Sequence, residues 1–425
     1  MSRINRREFV GLLGGGLLLG AAGIPLSARA GAKARVVVIG GGYGGATAAK
    51  YLRLYDPGIE VMLIDRDEKF ISCPLSNEVL SGERAMESLT IGFDGLAARG
   101  VKVVHAEVGE IDAAAKRVKL GNGQTLGYDY LVVSPGVDLR WDSIAGYSET
   151  AAEIMPHAWK AGPQTLLLKK QIESMPDGGT VIIAAPPNPF RCPPGPYERA
   201  AQIALYCKHH KPRSKIMILD AKSKFSKQGL FQAGWKQHYG DMITWVSSSD
   251  DGKVLGVDTG KRIVMTELAE HHADVANIIP AQKAGAIAAR AGLVDESGWC
   301  PVDQRSFEST LHKDVFVIGD ACIAGAMPKS GYAANSQGKV AAANIAARAN
   351  GHSVAPPSYV NTCYSLIAPE HGISVAGVYQ FVDGKIVSVK NSGGVSPADG
   401  DTALHKREAV YAHSWYRNIV GDIWG

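Results

Sequence analysis

The sequence is sparing in cysteine, in aromatic residues and in charge. Its 425 residues include six Cys, 7% aromatic residues and 20% charged residues, with 45 Lys and Arg against 41 Asp and Glu. Six Cys are too few for a small disulfide scaffold, and 46% hydrophobic residues exclude a disordered chain. A chain of this length is expected to form two or three globular domains, each with its own core.

Motifs of several catalytic classes are missing. The sequence has no C-x-x-C-H run, so we predict that no c-type haem is attached to this chain. The G-x-S-x-G and P-loop patterns are also missing. Neither His209-His210 nor His271-His272 has the spacing of metal ligands, so we predict no metal site.

The first 30 residues are organised like an export signal. Three Arg residues come before a Gly-rich apolar stretch at 9–26, and Ala28-Arg29-Ala30 follows it. The adjacent Arg6-Arg7 is similar to a twin-arginine signal, a route that carries folded proteins, usually with a cofactor already inserted. A membrane anchor is the alternative, but Gly residues and Pro25 interrupt the stretch. We expect cleavage near Ala30 and a periplasmic protein.

Removal of this segment changes the charge balance of the chain. It takes away four Arg and one Glu, so the formal net charge of +4 falls by three, to +1. A nearly neutral chain has no basic face for nucleic acid, and we predict no nucleic-acid partner. No other apolar run approaches 18 residues, so the mature chain is expected not to span a membrane.

A strand, a glycine turn and a helix follow one another at the start of the mature chain. Residues 35–39 form a β-branched run, and residues 46–54 form an Ala-rich helical stretch. Between them, Gly40, Gly42 and Gly45 form the G-x-G-x-x-G pattern. In that pattern the glycines permit a tight turn, close approach of a pyrophosphate and close packing of helix on strand. A glycine-rich turn without a ligand is the alternative.

An acidic residue completes this dinucleotide pattern. Asp65 ends the next apolar strand, twenty residues after Gly45. In a βαβ unit, the diphosphate lies on the helix N-terminus, and an acid in this position accepts hydrogen bonds from the ribose hydroxyls. The sequence therefore predicts a bound dinucleotide, which could be NAD or FAD.

Two later segments distinguish these cofactors. One is the strand and turn at 128–136, which contains Ser134 and Gly136, and the other is a strand that ends in Gly319-Asp320. This pair resembles the FAD oxidoreductases with two dinucleotide domains, in which the Gly-Asp carboxylate binds the ribityl chain. The resemblance implies FAD. An ordinary helix N-cap is the alternative for Asp320, and the two roles are compatible.

The second nucleotide-binding half departs from the family pattern. Its strand at 179–184 is followed by residues 185–196, of which six are Pro. Proline has no N–H donor and a fixed φ, so this turn cannot cradle a pyrophosphate. We predict that the nicotinamide site has been lost.

Three segments give a narrower resemblance. Ile71-Ser72-Cys73-Pro74, the proline-flanked Cys192 with Glu198 after it, and residues 327–332 are similar to the flavoprotein subunit of flavocytochrome c sulfide dehydrogenase. Sulfide:quinone oxidoreductases are more distant relatives. The resemblance implies that Cys73 is thioether-linked to the 8α position of FAD. It also implies that Cys192 and Cys363 form a redox-active disulfide.

The same resemblance gives the expected function and site. It implies a sulfide dehydrogenase flavoprotein that oxidises hydrosulfide to sulfur or polysulfide and passes electrons to a c-type cytochrome subunit, which alone carries haem c. The alternatives are electron transfer to membrane quinone, a non-catalytic flavin-binding protein and an NAD(P)H-linked disulfide reductase. The predicted catalytic residues are Cys192, Cys363 and Glu198. The predicted cofactor contacts are Gly40, Gly42, Gly45, Asp65, Arg66, Cys73, Val108, Ser134, Gly136, Gly319, Asp320 and Lys329.

Several roles stay open at this point. Glu198 could relay protons or be a solvated carboxylate at a helix N-terminus. Lys329 is expected to place positive charge near the flavin pyrimidine end. Cys207 and Cys322 are expected to be buried bystanders, and Cys300 is undecided. The aromatic stretch at 411–424 could be a core helix, a lid or a partner contact, with core packing as the default.

The expected fold class is α/β, with two Rossmann-like dinucleotide-binding domains of the glutathione-reductase type and an α+β C-terminal domain. The predicted divisions are a twin-arginine signal at 1–30, a discontinuous FAD-binding domain at 31–150 and 285–355, a second Rossmann-like domain at 151–284 and a C-terminal interface domain at 356–425.

Overall fold

The computed structural model of the protein describes residues 32–354 and 356–425, and the predicted export signal lies outside this part. The strands, in chain order, are β1 (Ala34–Ile39), β2 (Ile59–Asp65), β3 (Phe70–Ile71), β4 (Thr90–Ile91), β5 (Val101–His105), β6 (Val108–Asp112), β7 (Arg117–Leu120), β8 (Thr125–Gly127), β9 (Tyr130–Val133), β10 (Val137–Leu139), β11 (Thr180–Ala185), β12 (Lys215–Asp220), β13 (Ile243–Val246), β14 (Gly256–Asp258), β15 (Ile263–Met265), β16 (Glu270–His272), β17 (Val275–Ile278), β18 (Gln282–Ala284), β19 (Val315–Val317), β20 (Ser358–Ala368), β21 (His371–Val382), β22 (Lys385–Ser388) and β23 (Gly394–Val395).

The α-helices, in chain order, are α1 (Tyr43–Tyr55), α2 (Glu78–Ser81), α3 (Asp94–Ala98), α4 (Pro163–Ser174), α5 (Gly195–His210), α6 (Gln228–Tyr239), α7 (Ala286–Arg290), α8 (Gly331–Ala349) and α9 (Thr402–Trp424). Over the described ranges, no helix is both long and apolar enough to cross a membrane.

The first sheet is five-stranded and parallel, in the order β19-β9-β1-β2-β5. Its strands are apolar runs because both faces of a parallel sheet are covered by helices and loops, and Val38, Leu63 and Val132 are fully buried. The chain leaves β1 toward β2 on one side and returns as β9 on the other. Ligands of open α/β sheets bind at the carboxyl ends of the strands where the order reverses, here between β1 and β9.

The second sheet is parallel and four-stranded, in the order β13-β12-β11-β17. The helix α5 begins at Gly195, after the proline-rich segment that follows β11. Pro196 in its first turn fits there because the first N–H groups of a helix have no partner within the helix. This sheet and the first confirm the predicted α/β class.

The C-terminal segment is a sheet of antiparallel strands with one long helix. β20 and β21 pair from Ser358 opposite Gln380 to Ala368 opposite His371, and β22 and β23 both pair with β21. The helix α9 begins at Thr402, nine residues before the predicted aromatic stretch. The Asp401 side chain caps it by accepting the Leu404 N–H.

The helix α9 packs into the interior, as the default prediction held. Ile419, Ile423 and Trp424 are buried in the core of the first sheet. Ala409, Ala412 and Tyr416 belong to a smaller apolar cluster that also contains Leu75 and Val79, just after Cys73. The C-terminal helix therefore fixes the loop that carries Cys73.

A candidate flavin and cysteine site

The glycine turn has the close approaches that its pattern predicts. Gly40 has φ +92°, and a Cβ on it would lie 2.3 Å from the Ser134 carbonyl oxygen. A Cβ on Gly45 would lie 1.9 Å from the Gly40 carbonyl oxygen. Gly42 precedes α1 in extended conformation, and a Cβ there would meet only the Phe70 ring, at 3.3 Å. Gly40 and Gly45 are thus required by the fold of the turn itself.

Asp65 holds this turn from the end of β2. Its Oδ2 accepts the Gly41 N–H at 2.6 Å, and its Oδ1 accepts the Asp67 N–H at 2.9 Å. The carboxylate stays partly exposed, so it can also receive hydroxyl donors. The bond to Gly41 was not predicted, because it depends on how closely the turn approaches β2.

The other predicted contacts near the adenine side have different surroundings. Arg66 is exposed, with its Nε 3.8 Å from Asp67 Oδ2. Val108 is buried in β6. Ser134 directly follows β9, and its N–H donates to the Ile39 carbonyl at 2.8 Å; Gly136 comes two residues later with φ +65°.

A cavity of about 800 Å³ lies beside the Gly-Asp turn. Asp320 lines it and is half-buried, and its Oδ1 atom is buried with no hydrogen-bond partner among the described residues. Burial raises the pKa of this carboxyl group, while Arg191 and Lys329 act to lower it. The N-cap alternative for Asp320 is wrong, because Ser330 caps α8 by accepting the Ala333 N–H. An unpartnered buried acceptor in a cavity fits a ligand hydroxyl, such as those of a ribityl chain.

Lys329 is held by backbone carbonyls at the edge of this cavity. Its Nζ donates to the backbone carbonyl oxygen of Asp320 at 2.7 Å and to that of Cys322 at 3.0 Å. The same nitrogen lies 3.8 Å from the centre of the Trp299 ring. Burial lowers the pKa of this amine. Lys329 is therefore fixed at the cavity wall, and its predicted place near the flavin pyrimidine end stays a prediction.

A second cavity, of about 290 Å³, contains three cysteines that are far apart in the chain. Cys73, Cys192 and Cys363 all line it, and in the structure all three are free thiols. The two cavities share lining residues, so they adjoin. The shared residues are Pro193, Ala326, Pro328 and Ser330. The structure thus brings the three predicted reactive cysteines together next to the Asp320 cavity.

The two cysteines of the predicted pair have different backbones and neighbours. Cys192 has φ +58°, a conformation that side chains rarely adopt, and its N–H donates to the Lys329 carbonyl at 2.8 Å. Cys363 lies within β20, opposite Val375. Burial raises the pKa of both thiols, and Arg191 opposes this effect at Cys192.

Glu198 is not a solvated carboxylate. Its Oε1 accepts the Leu366 N–H at 2.8 Å and its Oε2 accepts the Asn77 amide at 3.0 Å. Burial raises the pKa of this carboxyl group, although both hydrogen bonds act to lower it. The geometry therefore rules out the solvated alternative and leaves a half-buried, hydrogen-bonded acid at the wall of the cysteine cavity.

Arg199 is a buried cation that sequence reasoning missed. Its guanidinium donates to Asn77 Oδ1 at 3.1 Å and to the Ala158 carbonyl at 2.6 Å, and it lies over the Trp159 ring. Burial lowers its pKa to about 10. Asn77 thus joins Glu198 to Arg199. Nothing in the sequence marks this link, because Asn77 lies 121 residues from Glu198 and 122 residues from Arg199.

In the second sheet, the aspartate that corresponds to Asp65 is hydrogen-bonded by other side chains of this protein. Asp220 ends β12 as Asp65 ends β2, but its Oδ2 accepts both the Tyr197 hydroxyl, at 2.6 Å, and the Trp245 indole N–H, at 2.9 Å. Lys222 pairs with its Oδ1 at 2.6 Å, and the Phe225 ring stacks on Tyr197. No acceptor of Asp220 is left for a ribose.

The remaining cysteines are buried. Cys207 lies within the second core, and Cys300 and Cys322 are adjacent through a backbone bridge in the first. Burial raises the pKa of each of these thiols, to about 11 for Cys207 and about 12 for the other two.

Trp415 of α9 lines the cysteine cavity, which the prediction of simple core packing did not include.

Three family models match successive parts of the chain. Residues 34–160 match the pyridine nucleotide-disulphide oxidoreductase model. Residues 165–280 match the central part of the sulfide dehydrogenase (flavocytochrome c) flavoprotein chain, and residues 355–424 match the flavin-binding part of flavocytochrome c sulphide dehydrogenase. The flavoprotein chain of this dehydrogenase from Chlorobaculum thiosulfatiphilum is 58% identical over 45 residues, which are 11% of this chain and 94% of that sequence.

The chain belongs to the family of flavocytochrome c sulfide dehydrogenase flavoproteins. Members of this family bind FAD. The mitochondrial sulfide:quinone oxidoreductase of Mus musculus is 20% identical over 67% of this chain and 65% of its own length. The chain thus matches just under two thirds of that relative.

Solved structures show the same fold in more distant proteins. The sulfide:quinone oxidoreductase of Aquifex aeolicus has a TM-score of 0.71 and 18% identity, over 92% of both chains. The reductase in the covalent putidaredoxin reductase-putidaredoxin complex has a TM-score of 0.63 and 17% identity, over 90% of this chain and 94% of that one. The predicted fold class is confirmed.

Proposed function

We propose that the chain is the flavoprotein of a periplasmic sulfide dehydrogenase. It oxidises hydrosulfide to sulfur or polysulfide through a Cys192–Cys363 disulfide and a covalently bound FAD. The observation that carries this proposal is the convergence of Cys73, Cys192 and Cys363 on one cavity next to that of Asp320. Two cations, the half-buried Arg191 and the buried Arg199, act electrostatically on this cavity and favour an anionic substrate.

The residues present fit FAD. Gly40 and Gly45 shape the turn before α1, whose N-terminal N–H groups suit a diphosphate. Asp320 offers an unpartnered buried acceptor to the ribityl chain, and Lys329 holds a positive charge at the same cavity. Cys73 is the proposed 8α tether. When bound, FAD supplies a two-electron acceptor.

The chain's own residues carry out the sulfur chemistry. Hydrosulfide opens the disulfide by thiol–disulfide exchange, so that one cysteine becomes a persulfide and the other a thiolate. A second hydrosulfide then releases the sulfur as a disulfide ion or a longer polysulfide. Glu198, half-buried and with a raised pKa, is placed to hold a proton on its carboxyl group during these exchanges. Trp159 and Trp415 give the cavity part of an apolar wall.

The second sheet supports an acceptor other than NAD(P)⁺. Because the Asp220 carboxylate is taken up by Tyr197, Trp245 and Lys222, a nicotinamide dinucleotide finds no ribose acceptor there. We propose a c-type cytochrome subunit as the acceptor, since the family is that of the flavoprotein chains of a flavocytochrome. Membrane quinone is the second candidate, because sulfide:quinone oxidoreductases match the chain in sequence and fold.

Variants of single cysteines test the proposal. We expect sulfide to bleach the flavin absorbance of the wild type, and Cys192→Ser to slow this bleaching more than about 100-fold, because the disulfide cannot form. After acid precipitation, flavin is expected to stay in the protein pellet of the wild type and of Cys192→Ser, but to remain in solution for Cys73→Ser. Cys207→Ala, a buried cysteine outside the cavity, is the matched control. Unchanged bleaching in Cys192→Ser would rule the disulfide out.

A further inference from the structure

Lys227 is a buried cation that none of the steps above uses. It is 7% exposed and stands immediately before α6, with a left-handed backbone at φ 61°. Its Nζ donates to Ser365 Oγ at 2.8 Å and lies 5.7 Å from the centre of the Phe231 ring. The side chain of Lys227 is therefore held by a neutral hydroxyl, that of Ser365. A charge held in this way inside a protein acts strongly on whatever acidic group it faces.

The strand β20 places Cys363 beside this cation. Residues two apart on a strand point to the same face, about 6.5 to 7 Å from each other, so Cys363 and Ser365 share a face. Among the groups that face Lys227, Cys363 has the largest effect, followed by Glu198, Cys192 and Glu408. In return, Lys227 acts to lower the pKa of the Cys363 thiol, which burial and Glu198 raise.

Cys192 lies on the other side of the pair, toward Cys73. Its N–H donates to the Lys329 carbonyl, and Lys329 reaches Asp320 in the adjoining cavity. Cys73 also acts on the pKa of Cys192, whereas the groups that act on Cys363 are Lys227 and Glu198. Cys192 is therefore the member nearer the proposed flavin tether, and Cys363 is the outer member, next to Lys227.

We propose that Lys227 is a positioning residue that directs hydrosulfide to Cys363. The proposal rests on the disulfide function given above. The hydrosulfide sulfur attacks Cys363 Sγ and forms a new S–S bond, while the Cys192–Cys363 bond breaks. The electron pair of the broken bond stays on Cys192 as a thiolate, and the hydrosulfide proton stays on the new persulfide. Hydrosulfide is oxidised and the disulfide is reduced. Lys227 stabilises the negative charge that the attacking sulfur brings to Cys363.

The test compares Lys227→Met with Lys227→Arg in the complete flavoprotein. Disulfide opening is followed with hydrosulfide, an anion, and with an uncharged phosphine that reduces disulfides. We expect Lys227→Met to slow the hydrosulfide reaction at least about tenfold and to change the phosphine reaction less than about twofold, because only the anion needs the cation. Lys227→Arg is expected to keep most of the hydrosulfide rate.

A second measurement locates the product without using flavin. One equivalent of hydrosulfide is added to the oxidised wild type, and the thiols are alkylated and mapped by mass spectrometry. The added sulfur is expected on Cys363. A persulfide on Cys192 overturns the proposal, and so does an equal loss of both reaction rates in Lys227→Met.

Different results would contradict the role of Lys227 and the proposed disulfide function. If the wild type does not react with hydrosulfide at all, the disulfide function fails, and the role of Lys227 with it. If the wild type reacts and Lys227→Met reacts as fast, only the role of Lys227 fails.

Discussion

Glu198 shows how burial and hydrogen bonding act on one carboxyl group in opposite directions. Its two acceptor bonds, from Leu366 and Asn77, favour the charged form, while burial favours the neutral form. Burial has the larger effect, so the pKa is raised. A carboxyl group with a raised pKa in the folded state stabilises the fold in acid and gives that stability up as the pH rises.

Glu198→Gln tests this direction. Gln stays neutral at all pH values, whereas Glu198 loses its proton as the pH rises through its folded pKa. We therefore expect the wild type to be most stable relative to the variant below the ordinary carboxyl pKa, and to lose that advantage as the pH rises toward neutrality. A rise of one pH unit in the folded pKa corresponds to about 1.4 kcal/mol. Urea unfolding of both proteins at several pH values measures the difference, and a constant difference would contradict the raised pKa.

At this scale the sequence predicts reactive residues better than their partners. Cys73, Cys192 and Glu198 stand in short motifs, so a resemblance could point to them. Arg199 and Lys227 act through contacts that only the tertiary fold creates, such as the bond from Lys227 to Ser365 across 138 residues. No local pattern carries that information.

Among the elements, α9 links the C-terminus to the dinucleotide turn. The Trp424 ring stacks on Phe70 and meets Tyr43 edge to face, and its Nε1 donates to the Gly41 carbonyl at 3.2 Å. Lys50 of α1 donates to the carbonyls of Gly421 and Asp422. The last turn of α9 therefore braces the start of α1, where the diphosphate is proposed to bind.

Trp424→Ala is expected to be strongly destabilising. Trp424 is 3% exposed, and removal of a buried Trp side chain costs about 3 to 5 kcal/mol. Val410→Ala on the same helix is the matched control, because Val410 is 62% exposed and a surface substitution changes stability by about 0.5 kcal/mol or less. Urea unfolding measures both. An equal effect of the two substitutions would show that the last turn does not brace the core.

The elements differ in how well the sequence predicts them. β1, α1 and β2 follow directly from the apolar run, the glycines and the spacing of Asp65. The start of α8 is less visible, because Gly331 follows a cap by Ser330 that a pattern of apolar residues does not show. β20 is long and carries Asn361, Thr362 and Cys363 at its centre. These polar residues do not alternate with apolar ones as in a half-buried strand, because the cavity replaces the core on that side.

At the scale of the whole molecule, the two parallel sheets are similar, but the aspartates at their strand ends have different surroundings. Both sheets end a strand in an aspartate, but Asp65 keeps a partly exposed carboxylate, whereas Asp220 is saturated by its own neighbours. The six prolines after β11 predict that this turn cannot bind a pyrophosphate. They do not predict that Tyr197 and Trp245 donate hydrogen bonds to the Asp220 carboxylate. The division into two dinucleotide domains and a C-terminal domain stays a prediction, since β10 of the first predicted domain pairs with β18 of the second.

Under the proposed function, the electrons leave the molecule by a route other than NAD(P)⁺. If a cytochrome subunit is the acceptor, the protein isolated from its native source is expected to copurify with a c-type haem, and sulfide is expected to reduce this haem together with the flavin. NADH is expected to reduce neither, because Asp220 offers no ribose acceptor. Cys192→Ser, isolated in the same way, is the control: it is expected to keep the haem spectrum but not its reduction by sulfide. Copurification without haem, with sulfide-dependent reduction of a soluble quinone, would instead favour the quinone acceptor.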